Sequence, residues 1–187
     1  MSTRSRSHSG RLLAAAAGVA LAALGSAAQS PAPEPDGYWM GPPSGPVPAS
    51  VKGGRVVRAA ELIALRKRTA VVVVDVSNLE RRPPGLGADV LWSLPPHAAI
   101  PGSHWLPGVG AGTLPASLEA AFGAQLERLT GRDLDRPVVL YCHARCWLSW
   151  NAAKRAVGYG YRHVYWFPDG IEGWRAAGQP TQVVKPD

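Results

Sequence analysis

Cysteine is the scarcest reactive residue in this 187-residue chain: there are two, Cys142 and Cys146, and neither follows the amino-terminal apolar segment. That excludes a lipoprotein attachment site, and the absence of a Cys-x-x-Cys-His run excludes covalent haem attachment. The apolar segment itself, Leu12 to Leu24, has 13 residues and is mostly alanine, too short and too weakly apolar for a membrane span. Arg4 and Arg6 are not adjacent, which argues against a twin-arginine address. No internal repeat is present.

Acids are missing from the first 28 residues, where Arg4, Arg6, His8 and Arg11 precede the apolar segment and Gly25-Ser26-Ala27-Ala28 follows it. A basic leader, an apolar stretch and small residues predict a secretory signal peptide over 1–28, cleaved after Ala28. Its removal leaves 17 Lys and Arg against 13 Asp and Glu, a net charge of +4 instead of +7. That mild, scattered charge serves solubility and is not a nucleic-acid footprint. The densest basic patch, Arg66-Lys67-Arg68, reads as the solvated end of a helix. About 159 residues remain, enough for one domain with one core. The expected location is periplasmic, with no membrane anchor after cleavage.

What the chain does have is proline, glycine and valine in separate places. Residues 29–54 are rich in Pro, Gly and Ser and read as an extended arm. Tyr38, Trp39 and Val47 interrupt its polarity and are expected to pack it back on the domain, the alternative being a partner-binding strip. Over 55–183 strand and helix signals alternate. Val56-Val57 is a short strand, Ala59 to Arg68 a short helix, and Val71-Val72-Val73-Val74 a β-branched run without polar alternation, as a parallel strand covered on both faces requires. Asp75 ends that strand and is assigned a structural role, accepting amides of the next turn. Residues 77–97 form a long irregular insert. Further along come a short strand at His104, a helix from Ser117 to Leu129 capped by Ser117, buried strands at Val138–Tyr141 and Val164–Phe167, and a last helix at Ile171–Ala177. Few hairpin signals occur, so the class is α/β with a central, mainly parallel sheet flanked by helices. The spacing of His97 and His104 pairs neither with a carboxylate, and neither is given a catalytic role.

Both cysteines fall in Tyr141-Cys142-His143-Ala144-Arg145-Cys146-Trp147, between a buried strand and a helix expected over Leu148 to Ala156. Loops at the carboxyl end of such strands hold the reactive groups of open α/β sheets. Amides opening the helix favour a thiolate, and Arg145 adds to that. Cys142 is therefore expected to attack, and Cys146, beside Trp147 and Leu148, to stay protonated and resolve. His143, Ala144, Arg145 and Trp147 complete the anion-binding loop, with Trp147 as a pocket wall. Three chemistries stay open: a reversible disulfide in an oxidising compartment, an inert structural bridge, and capture of a soft ion such as Cu(I) by the two thiolates and His143, which lacks the fourth ligand of a zinc site. No cofactor or dedicated metal site is assigned.

Ala59-Ala60-Glu61-Leu62, Val72-Val73-Val74-Asp75-Val76, Ile100-Pro101-Gly102-Ser103, Pro137 to Cys142, Gly160 to Tyr165, Asp169-Gly170-Ile171-Glu172-Gly173-Trp174 and Ala176 to Pro180 resemble, in order, the rhodanese-like domain. The resemblance implies a three-layer fold, and a persulfide-accepting cysteine at the position of Cys142. An active rhodanese loop usually has a central glycine and a closing Arg-Ser or Arg-Thr; here Arg145-Cys146-Trp147-Leu148 stands instead, which predicts absent or weak thiosulfate:cyanide sulfurtransferase activity. Gly37-Tyr38, Pro46-Val47-Pro48-Ala49 and Cys146 to Arg155 are further similar to a group of periplasmic proteins associated with PQQ-dependent catabolism and named for a Cys-x-x-Cys-Trp motif, although three residues separate the cysteines here. That second resemblance implies thiol/disulfide or sulfur-transfer chemistry in support of PQQ-dependent alcohol oxidation. A periplasmic PQQ-dependent dehydrogenase or its cytochrome c system is the implied partner. The alternative is a non-catalytic periplasmic binding module or a copper-capturing accessory protein.

Overall fold

The computed structural model describes Met1 and residues 30–187; the expected signal segment otherwise lies outside the described residues. The chain runs β1 (Arg55–Val56), α1 (Ala59–Arg68), β2 (Val72–Asp75), β3 (His97–Ala99), β4 (His104–Trp105), α2 (Ala116–Thr130), β5 (Val138–Tyr141), α3 (Trp147–Gly158), β6 (Val164–Phe167), α4 (Gly170–Ala176) and β7 (Gln182–Val184). Five of the strands form an all-parallel sheet in the order β1-β6-β5-β2-β4.

The valine run explains the layers. Successive strand residues face opposite sides of a sheet. Val72, Val74, Val138 and Leu140 pack with Phe122 and Leu126 of α2 and Trp150, Ala153 and Ala156 of α3. Val73, Val139, Tyr141 and Phe167 pack with Leu62 and Leu65 of α1 and Ile171 and Trp174 of α4. Both faces are thus covered, which is why these strands carry no polar alternation. The result is a three-layer α/β domain.

Three sequence expectations shift. Helix α2 begins at Ala116, and Ser117 lies inside it: the Pro115 carbonyl already accepts the Leu118 and Glu119 amides, so Pro115 is the cap. Helix α3 begins at Trp147, one residue earlier than the pattern suggests, which makes Cys146 its cap. Strands β3 and β7 form an antiparallel pair, His97 opposite Val184, that neither segment announces by its own composition.

Candidate active site

The loop leaving β5 is held from three sides. From below, α4 comes unusually close: a Cβ on Gly170 would stand 2.4 Å from the His143 carbonyl carbon and 2.5 Å from the Cys142 oxygen, and the residue sits at φ 58°, so glycine alone suits the position. The Ile171 amide donates to the Cys142 carbonyl at 3.0 Å. The Glu172 carboxylate accepts the Ala144 amide at 2.7 Å and meets His143 Nδ1 at 2.9 Å. Burial opposes its charge, but these two partners hold its carboxyl below the usual range.

From within, Arg145 takes a left-handed conformation, φ 56°, which curls the loop and returns Cys146 to Cys142. The sulfurs lie 2.6 Å apart as free thiols, and the residues are only 1% and 3% exposed. Either sulfur can donate to the other. The hydrogen bond from the Cys142 thiol, with the Leu148 and Ser149 amides, outweighs burial and pulls Cys146 down to about 7. The same hydrogen bond, burial and the charge on Cys146 push Cys142 up, against help from the His143 amide and Ser77 hydroxyl. Cys146 flanks the start of α3, where its side chain makes no capping hydrogen bond but lies in the field of the helix's opening amides.

From above, the arm crosses the loop. Ser44 bridges to Cys146 in antiparallel fashion, the Gly45 amide donating to the Arg145 carbonyl at 3.1 Å and the Trp147 amide to the Pro43 carbonyl at 2.8 Å. Trp39 stacks on Trp147, centroids 4.2 Å apart. The Asn151 side chain clasps the Trp39 backbone in both directions, at 2.8 and 3.1 Å, and also donates to the Gly110 carbonyl. Tyr38 lies under the Arg155 guanidinium, and Val47 packs on the core.

The amides that would cradle a bound anion are therefore engaged internally. Ala144 gives its amide to Glu172, Arg145 to the Pro168 carbonyl at 3.2 Å, and Trp147 to Pro43. Trp147 does wall a cavity of about 300 Å³, together with Met40, Asn78 and Leu148. Arg145 lines a different one, of about 230 Å³, with Arg58, Asp169 and Pro46. His143 faces Glu172, and among the described residues no three His, Cys, Asp or Glu side chains converge as metal ligands.

Asp75 accepts the Ser77 amide at 2.8 Å and meets His97 Nε2 at 2.9 Å. That pairing corrects the view of His97 as unpartnered, as does His104 Nδ1 at 2.7 Å from Asp187 for the second histidine. His97 also stacks on Trp105, whose indole donates to the Ser77 carbonyl. Sequence reasoning missed four contributors: Ser77, Asn151, Glu172 and His97. Asn151 left one signal, a polar residue beside Trp147 and Trp150 on the apolar face of α3.

The family model of the rhodanese-like domain matches residues 58–177. Among solved structures, the crystal structure of YnjE is similar over 71% of this chain and 32% of its own, with a TM-score of 0.51 at 19% identity. That likeness concerns the fold alone, and this chain spans less than a third of YnjE. The polysulfide-sulfur transferase homodimer of Wolinella succinogenes aligns over 70% of this chain and 79% of its own, at 20% identity and a TM-score of 0.42. A search of curated proteins finds no match.

Proposed function

This chain belongs to the rhodanese-like domain family, and from that premise we propose that Cys142 and Cys146 work as a thiol–disulfide pair, Cys146 attacking and Cys142 resolving. The observation that carries this reading is two free, touching thiols of which one caps a helix. The Cys146 thiolate attacks a partner disulfide, forming a mixed disulfide and expelling a partner thiolate. Cys142 then loses its proton and attacks the Cys146 sulfur, closing the internal bond and expelling the second partner thiolate. Two electrons and two protons leave the pair, and the partner becomes a dithiol.

The family's fold suits sulfur-transfer chemistry, and a persulfide formed on Cys142 would meet the same fate. Attack by the Cys146 thiolate yields the disulfide and releases hydrosulfide. Thiosulfate:cyanide sulfurtransferase activity is accordingly expected to be absent or weak, since the loop's amides serve Glu172, Pro168 and Pro43.

The leader of Arg4, Arg6 and Arg11 with the Leu12 to Leu24 segment supports export to the periplasm, where such a pair is kept oxidised or cycled. The stretches shared with the PQQ-associated group support a role beside PQQ-dependent alcohol oxidation. On this proposal the partner is a periplasmic PQQ-dependent dehydrogenase or its cytochrome c system.

Iodoacetamide alkylation of the reduced protein tests the sulfur assignment. One thiol should react with a rate that rises through pH 7, in step with Cys146 at about 7. Cys142→Ser should keep that phase and accumulate mixed disulfides; Cys146→Ser should lose it. The opposite pattern reverses the roles. A native bridge that resists mild reductant, with both variants losing only thermal stability, would make it structural and end the proposal.

A further inference from the structure

The segment that hides the cysteines also shows how they are reached. Pro43, Ser44 and Gly45 lie antiparallel to Arg145, Cys146 and Trp147, and the two backbone bonds flank the Ser44–Cys146 pair, so neither of those residues bonds the other's backbone. In such a non-hydrogen-bonded pair the Cα atoms are about 4.5 Å apart and the side chains share one face of the ladder. That separation falls inside the disulfide range of about 4.4–6.8 Å. The arm thus holds a serine, the oxygen analogue of cysteine, where a sulfur bonded to Cys146 would come from.

We propose that the arm is an internal stand-in for the substrate, and that the substrate is an extended polypeptide segment presenting a disulfide-bonded cysteine at the place of Ser44. This rests on the thiol–disulfide reading above and names its substrate class. An incoming strand takes the Arg145 carbonyl and the Trp147 amide that Gly45 and Pro43 now occupy. These two bonds are backbone-only, so they impose an extended conformation and small flanking residues without demanding a sequence. The mixed disulfide forms as the Cys146 thiolate bonds to the incoming sulfur and the substrate's own disulfide breaks, its other sulfur leaving as thiolate. Small disulfides without a peptide bond, such as 2-hydroxyethyl disulfide, lack the backbone to compete with the arm.

Two variants of the full chain test this. Ser44→Cys in a Cys142→Ser background should lose both thiols under mild oxidation, peptide mapping showing a bond from position 44 to Cys146. Gly45→Pro removes the donor to Arg145 and cannot hold the glycine's φ of 154°. It should speed capture of the peptide probe Ala-Pro-Cys-Gly-Ala, activated as its thionitrobenzoate mixed disulfide, by about tenfold, the factor for losing one backbone hydrogen bond. Capture of 2-hydroxyethyl disulfide, which has no peptide bond, should rise less. If the wild-type pair oxidises and reduces reversibly, yet position 44 stays a free thiol and Gly45→Pro leaves peptide capture unchanged, the stand-in is refuted and the thiol–disulfide reading survives. If the wild-type pair does not cycle at all, that reading fails and this inference with it.

Discussion

The arm at residues 30–54 and the insert at 77–96 are both irregular, proline-bearing and poor in regular structure, yet they meet opposite ends. Some of the arm's hydrogen bonds stay within it, Ala32 to Val47 and Ser50 to Glu34, but others join residues about a hundred positions apart: Trp39 to Asn151, Lys154 to the Pro35 carbonyl, and the Trp150 indole to the Ser50 carbonyl. Within the insert's far half the bonds are local, Leu86 to Pro83 and Val90 to Gly87, and Leu79, Val90 and Leu91 stay exposed. Composition does not separate the two segments. What does is whether another element offers a buried polar side chain to the irregular backbone, which has no ladder of its own to satisfy it.

Removing that side chain should break the contrast most. Asn151→Ala orphans the Trp39 amide and two carbonyls, and an unsatisfied buried group costs about 1–3 kcal/mol. A loss of about 3 kcal/mol in urea unfolding is expected, together with faster alkylation of Cys146. Unchanged stability would mean that the arm is held by something else. Trp39→Ala comes next, losing the stack on Trp147 and part of its buried area, for about 2 kcal/mol.

The Glu172 contact should matter less and depend on pH. Its carboxyl is held below the ordinary value of 4.5 in the folded protein. Its stabilisation is therefore fully present above that ordinary value and is lost as pH falls through the folded one. Glu172→Gln should lower stability to urea slightly at pH 7, by under about 1 kcal/mol for a half-exposed pair, and the gap to wild type should narrow as the pH falls below 4.5. A gap that persisted there would point to a packing effect. Smallest of all is Leu91→Ser in the insert, expected within about 0.5 kcal/mol of wild type; a larger loss would show that the insert is pinned after all.

Much of the fold is legible because the signals are local. Val72–Val74, Val138–Tyr141 and Val164–Phe167 announce buried strands by their own composition, and the cysteine loop stands visibly between a strand and a helix. Where pairing depends on distant chain, legibility ends. Strand β3 is a strand only because Gln182–Val184 lies beside it, and His97 finds Asp75 across 22 residues. The choice of thiolate turns on a finer point. Whether the helix starts at Leu148 or at Trp147 decides which residue flanks its opening amides, a shift smaller than the usual uncertainty of helix ends. Glu172 is visible as a residue, but nothing local shows that its carboxylate reaches Ala144.

The bond from Trp39 to Asn151 spans 112 residues, and β1 finds its sheet neighbour in β6, Arg55 opposite Tyr165. Contacts of such long reach form late, because the chain between them must first be ordered. The arm is therefore expected to close over the loop after β5, α3 and β6 have assembled. Until then both sulfurs face whatever oxidant or reductant surrounds the folding chain, and afterwards they are reached only where the arm gives way.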